Sequence, residues 1–267
     1  MDIKGKVAWI TGGNTGMGAA TARALVAKGA KVLITNRGVT QDENAVAGTL
    51  GDDLMYIKAD STKLEEIEAA AAAAVEKWGR LDILVSCAGN GGTGGIFITE
   101  KQEEIDMTIA DMDFSYKLNV MGNFNAARIA ANYMVKNEPY GPRNERGCII
   151  FIASMAADKV WMAPPAELPP TYYGYGYGMA KAALLGMTRD IAYALQNYNI
   201  RVNTIKPGWF ITPLTPFSAE LEKTGNPTQM FPKYGGKPEE VAHLAVCMIE
   251  NAFINRSAYA IDAGVIG

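Results

Sequence analysis

Short, continuously apolar runs alternate with longer helix-like stretches along the whole chain, and this alternation most limits what it can fold into. Residues 7–10, 31–35, 54–58, 81–85, 148–152, 201–205 and 258–261 read as strands. Most lack the polar alternation of a strand with one wet face, as expected when both faces are covered. Residues 16–28, 62–78, 103–136, 177–196 and 238–250 read as helices, with Gly29 ending the first and Pro238 opening the last in its first turn. Strand, helix, strand, repeated, predicts an α/β fold: a Rossmann-like, doubly wound parallel sheet with helices on both faces. The 267 residues are 49% apolar, enough for one large core without disulfides or metal. No linker or repeat interrupts the pattern, so residues 1–267 read as a single domain. The alanine run at 69–74 reads as ordinary helix propensity.

After the first strand comes Thr11-Gly12-Gly13-Asn14-Thr15-Gly16-Met17-Gly18, opening the first helix. Glycines suit a tight turn that must approach a pyrophosphate with no Cβ in the way. The helix N-terminus then offers free N–H groups to phosphate oxygens. A purely structural glycine turn would look similar on spacing alone. The second strand sharpens the reading. Dinucleotide folds that take NAD place a carboxylate about twenty residues beyond the glycine turn, on the adenosine ribose. Here the strand ends in Asn36-Arg37: no carboxylate repels a 2′-phosphate, and a guanidinium can bind one bidentately. The expected cofactor is NADP(H), although Thr15 supplies no second basic residue in the turn.

Downstream stand Asn119, Ser154, Tyr177 and Lys181. Tyr177 and Lys181 are four apart, which places them one turn apart on one helix face. A free tyrosine has a pKa of about 10 and needs help to act near neutrality. A neighbouring ammonium favours the phenolate. Ser154, just beyond the 148–152 strand, can hydrogen-bond a substrate oxygen as charge develops on it. A Tyr and a Lys at this spacing, taken alone, are usually an incidental surface pair.

Together these pieces resemble the short-chain dehydrogenases/reductases of the single-domain, Tyr-x-x-x-Lys branch. The resemblance runs in order over essentially the whole chain: Thr11–Gly18, Asp60, Ala88-Gly89, Asn119, Ser154, Tyr177, Lys181, then Pro207-Gly208 and Thr212. It implies a catalytic set of Asn119, Ser154, Tyr177 and Lys181. Tyr177 would be the acid/base, Ser154 the oxygen-orienting group, and Lys181 the ribose ligand that depresses the tyrosine pKa. Asn119 would hold a water that relays protons to Lys181. Asp60 would contact the adenine, and Thr212 the carboxamide or diphosphate. The implied cofactor envelope comprises Gly12, Asn14, Thr15, Gly16, Met17, Gly18, Asn36, Arg37, Asp60, Ser61, Cys87, Ala88, Gly89, Asn119, Tyr177, Lys181, Pro207, Gly208, Phe210 and Thr212. The family also implies a homo-oligomer, a tetramer or dimer.

Three features depart from the family pattern. Ser86-Cys87-Ala88-Gly89 stands where Asn-Asn-Ala-Gly is usual, putting the side-chain bracing of the sheet in question. Asp262-Ala263-Gly264 replaces Asp-Gly-Gly. Ser154 and Tyr177 are separated by a proline- and aromatic-rich insertion, about 155–176. That insertion, joining two of the four residues, is expected to emerge beside the reacting carbon. Ser154, Met155, Trp161, Tyr177 and Trp209 are the expected substrate contacts, with Phe210, Met230 and Phe231 completing an apolar wall. A variable lid is expected over about 212–236, pivoting at Gly225, Asn226, Gly235 and Gly236.

The leading expectation is reversible oxidoreduction of a secondary alcohol and a ketone on a bulky apolar small molecule such as a steroid or bile acid. Sugars, polyols and acyl ketones are alternatives, as are a non-catalytic NADPH sensor and a lyase or epimerase that recycles its cofactor. A net charge of −3 argues against a nucleic-acid partner. A single histidine, His243, and three scattered cysteines argue against a metal site or disulfide frame. A charged start and no long apolar stretch predict no membrane partner and a cytoplasmic location.

Overall fold

The computed structural model describes residues 1–38, 46, 51–91, 109–159, 175–215 and 221–266. Its strands are β1 (Val7–Thr11), β2 (Lys31–Asn36), β3 (Leu54–Lys58), β4 (Ile83–Ser86), β5 (Gly147–Ile152), β6 (Ile200–Pro207) and β7 (Ala258–Ile261). All pair in parallel, in the order β3-β2-β1-β4-β5-β6-β7. The helices are α1 (Gly16–Ala27), α2 (Leu64–Trp78), α3 (Ile109–Tyr116), α4 (Asn123–Met134), α5 (Tyr175–Leu195), α6 (Leu221–Thr224) and α7 (Pro238–Glu250).

The unbroken apolar runs are explained by a core on each side of the sheet. Ala8, Ile10, Ile83, Val85, Cys148 and Ile150 face α1 and α7. Val7, Trp9, Leu84, Ile149 and Phe151 face α2, α4 and α5. The alanine run does more than favour a helix: Ala70, Ala71 and Ala74 are fully buried, and their small side chains let α2 lie close on the sheet. Pro238 stands in the first turn of α7, where the Lys237 amide donates to Glu240 Oε2 at 2.7 Å.

The stretch expected as one helix over 103–136 differs. Residues 103–108 lie outside the described residues, and α3 and α4 are joined by a π-helical segment, Lys117–Gly122. A π turn admits an extra residue, and such turns recur at functional sites. Here it carries Asn119. Gly122 ends it, and a Cβ there would meet the Ser61 carbonyl at 2.8 Å, so the bare backbone lets the segment close onto the end of β3.

The strand order reverses between β1 and β4. A ligand crevice is expected at such a point, outside the carboxyl ends of the strands.

Candidate active site

The crevice is there: a cleft of about 280 Å³ opens at the carboxyl ends of β1, β2 and β4. Of the expected envelope it is lined by Gly12, Thr15, Gly16, Met17, Asn36, Arg37, Asp60, Ser61, Cys87, Ala88, Gly89 and Thr212. The glycine turn is shaped for close approach. Gly12 has φ 65°, and a Cβ on it would stand 3.0 Å from the Ala88 backbone. Gly18 is different: it does not line the cleft, and its Cβ would lie 2.3 Å from the Gly12 carbonyl. Its role in this structure is to let α1 rest against the turn. Asn14 is likewise fully buried and is not among the residues lining this cleft.

At the outer end, Asn36 Oδ1 accepts the Arg37 amide at 2.8 Å, while Arg37 itself is exposed and borders the cleft. Asp60 is the one carboxylate among the cleft-lining residues, and its Oδ1 already accepts from the amide and hydroxyl of Thr62 at 2.9 and 2.8 Å. On the opposite wall, Thr212 stands 3.4 Å from where a Gly16 Cβ would be, and its hydroxyl shares a 2.9 Å hydrogen bond with Thr215.

The bracing lost with the usual asparagine pair is supplied by Thr11. Its Oγ1 accepts the amides of Cys87 and Ala88 at 3.1 and 3.0 Å and lies 3.4 Å from Ser86 Oγ. Burial pushes the Cys87 thiol up to about 11, against the pull of Lys181. The thiol therefore stays neutral and places no second anion beside the lysine.

At the inner end, Gly89 brings the chemistry together. A Cβ on it would stand 2.7 Å from Asn119 Oδ1 and 3.0 Å from Lys181 Nζ. Lys181, buried, donates to the Ile152 carbonyl at 3.0 Å, and its Nζ sits 5.6 Å from the Tyr177 ring centroid. Burial lowers the Lys181 pKa to about 8. Tyr177 differs from expectation: burial pushes its phenol above the ordinary value, and the opposing influence is a hydrogen bond with Ser154 rather than the lysine. Burial of the lysine accounts for this: with its own pKa lowered to about 8, Lys181 has lost its proton before a phenol raised above the ordinary value ionises. Ser154 also caps a short 3₁₀ turn, Met155–Ala157, where Oγ accepts the Ala156 amide at 3.2 Å.

Asn119 is held by groups that spacing alone did not reveal. Its Nδ2 donates to Asn90 Oδ1 at 2.9 Å and Ser115 Oγ at 3.2 Å, and its Oδ1 accepts the Asn90 amide at 3.2 Å. Its carbonyl accepts from Asn123 Nδ2 at 2.9 Å. The available signal was Asn123, one turn on in a helix otherwise buried by alanines. Gly89→Ala is expected to displace Lys181 and Asn119 and to lower kcat by roughly tenfold or more, because overpacking costs about 1–3 kcal/mol. Steady-state kinetics check this, and an unchanged kcat would contradict the convergence.

The remaining expected residues fall elsewhere. Pro207 and Gly208 end β6, where a Gly208 Cβ would sit 2.7 Å from Asp262 Cβ, so their visible role is joining β6 to β7. Phe210 is buried in the α1–α7 core under Gly236. Gly236 is thus a close-packing position rather than a pivot. Met155 and Trp209 are buried together with Val265, an apolar cluster that begins one residue beyond Ser154. Met230 and Phe231 are not buried with that cluster: they are 67% and 85% exposed, and their amides donate to the Ala263 carbonyl. Trp161 and most of the insertion lie outside the described residues. No described helix is long and apolar enough to cross a membrane.

A family model described as enoyl-(acyl carrier protein) reductase matches residues 12–266. The human protein named 3-hydroxyacyl-CoA dehydrogenase type-2 is 36% identical over 98% of this chain and 96% of its own. Its Drosophila melanogaster namesake is 34% identical over 98% of both. Among solved structures, a short-chain dehydrogenase/reductase from Serratia marcescens superposes with TM-score 0.79 at 30% identity, over 99% of each chain. The Mycobacterium avium 3-hydroxyacyl-CoA dehydrogenase type-2 gives TM-score 0.84 at 27% identity, over 99% of this chain and 98% of that one. With the parallel sheet, the glycine-turn cleft and the Tyr–Lys–Ser–Asn convergence, these place the chain in the short-chain dehydrogenase/reductase family of nicotinamide-dependent oxidoreductases.

Proposed function

We propose that this protein is an NADP(H)-dependent oxidoreductase that interconverts a secondary alcohol and a ketone by hydride transfer. One observation carries the reading: Tyr177, Ser154, Lys181 and Asn119 gather at the inner end of a cleft whose outer end is bordered by Arg37, with Asp60 the one carboxylate among its described lining residues. The glycine positions that a Cβ would fill, and the helix start behind them, fit a dinucleotide. Arg37 would hold the 2′-phosphate, Lys181 a ribose, and Thr212 the diphosphate or carboxamide. When bound, the nicotinamide supplies or accepts the hydride.

The rest is done by the chain. Ser154 orients the substrate oxygen, and Tyr177 gives or takes its proton. Lys181, charged at neutral pH, favours the phenolate as it forms. Asn119, fixed by Asn90, Ser115 and Asn123, holds the lysine end of the proton path. Ketone reduction needs the protonated phenol, and alcohol oxidation needs the phenolate. Because burial raises the Tyr177 pKa, oxidation kcat/KM should rise with pH into the alkaline range, while reduction stays flat through neutrality and falls only there. Matched pH profiles in the two directions check this, and an oxidation rate that falls from neutrality upward would contradict it.

The substrate carries a bulky apolar group, received beside Met155 and Trp209. The relatives named 3-hydroxyacyl-CoA dehydrogenase favour an acyl chain with a 3-hydroxy or 3-oxo group. A fused-ring alcohol of steroid or bile-acid type is the second reading, resting on the same apolar cluster. Location in the cytoplasm and assembly as a homo-oligomer complete the proposal. A panel of 3-oxoacyl thioesters, ring-system ketones, sugars and small ketones, followed by nicotinamide absorbance with NADPH and NADH, tests it. Turnover of a bulky ketone with NADPH preferred is expected, whereas preference for NADH or for sugars would overturn it.

A further inference from the structure

Lys159 lies just beyond the 3₁₀ turn capped by Ser154, yet its ammonium is engaged at the far end of the chain. It donates to Asp262 Oδ2 at 2.7 Å and to the Val265 carbonyl at 2.6 Å. Asp262 is buried, and the lysine side chain is 25% exposed, so the pair is largely withdrawn from water. Its neighbour Asp158 pairs with Lys206 on β6.

The same tail is joined to the lid. The Met230 and Phe231 amides donate to the Ala263 carbonyl at 3.1 and 3.2 Å, and the Ile266 amide donates to the Thr228 carbonyl at 2.8 Å. Ala263 and Gly264 both have positive φ, 56° and 68°, a sharp bend that turns the chain back after β7. Beyond that bend Val265 is buried against Met155, which follows Ser154, and Trp209, which leaves β6. One ion pair thus connects the Ser154 turn, the chain after β7 and the lid.

We infer that Lys159 is a positioning residue, and that through Asp262 it holds residues 262–266 as a substrate-selecting wall with Met155 and Trp209. The inference rests on the proposed seating of substrate beside Ser154 and Tyr177. Removing the lysine leaves Asp262 as a buried charge without its cation, a strongly unfavourable arrangement relieved by movement of the tail. Moving the tail carries Val265 and the lid with it. The Ser154 cap and the Ser154–Tyr177 hydrogen bond do not involve Lys159. The loss should therefore fall on binding of the bulky group rather than on the chemical step.

The test compares Lys159→Met, Lys159→Arg and Val265→Ala by steady-state kinetics with a bulky ketone and a small ketone, alongside thermal midpoints. Lys159→Met and Val265→Ala should each raise the KM of the bulky ketone about fivefold relative to the small one, as apolar contact is lost. Lys159→Arg, which keeps the charge, should recover most of that ratio. Equal losses for both ketones, or an unchanged ratio in Val265→Ala, would overturn the inference. Val265→Ala leaves the ion pair intact, so it decides even if Lys159→Met does not fold. Tyr177→Phe run in parallel separates the two levels. If it is active, the site reading itself fails. If it is inactive while the Lys159→Met ratio is unchanged, only the positioning role fails.

Discussion

Tyr177→Phe removes one hydroxyl at the reacting centre and is expected to lower kcat by about 10²–10⁴-fold, the usual worth of a positioned acid/base. Cofactor affinity should barely move, because the proposed phosphate-side contacts come from the glycine turn, Arg37 and Thr212, which line the cleft. Lys181→Ala should impair both kcat and cofactor binding, since the proposed mechanism has the lysine serve both the phenol and a ribose. Rapid-mixing measurement of chemistry, beside fluorescence titration of the nucleotide, distinguishes the two patterns. A Tyr177→Phe enzyme with near-wild-type kcat would remove the tyrosine from the proton transfer.

Arg37→Asp should invert the cofactor preference. The substitution removes a charge-assisted contact to the 2′-phosphate and sets a carboxylate in its place, where it can instead meet the two ribose hydroxyls of NADH. Asn36 already satisfies the local amide, so the turn itself should survive. The ratio of kcat/KM for NADPH over NADH is expected to fall by roughly a hundredfold, from loss of an ionic hydrogen bond and gain of like-charge repulsion. A wild-type enzyme that already prefers NADH would contradict the assignment of Arg37.

The fold was largely legible because its cause is periodic. Strands covered on two faces show as unbroken apolar runs, and the core on each side of β1 and β5 is the reason. The π turn at Lys117–Gly122 was not legible, since it follows from tertiary closure of Gly122 onto Ser61 rather than from a local repeat. In the site, Tyr177, Lys181 and Arg37 could be argued from charge and spacing. The role of Gly89 could not, because what matters there is the absence of atoms between two side chains distant in sequence. Nor could the rise in the Tyr177 pKa, which reflects burial that only the tertiary fold creates. The bracing by Thr11 Oγ1 was hidden for a similar reason: one hydroxyl accepts two amides from a neighbouring strand end. The link from Lys159 to Asp262 joins residues 103 apart in sequence and leaves no local pattern.

The central claim is that this site moves a hydride between nicotinamide and a carbinol carbon, with net turnover of cofactor. The direct measurement uses NADPH deuterated at C4 of the nicotinamide and a bulky ketone, with mass spectrometry of the alcohol formed. The account predicts one deuterium on the carbinol carbon of each product molecule, delivered from a single face of the nicotinamide, and a matching stoichiometry of NADP⁺. Product formed without label while the cofactor stays reduced, or cofactor bound with no product at all, would contradict it.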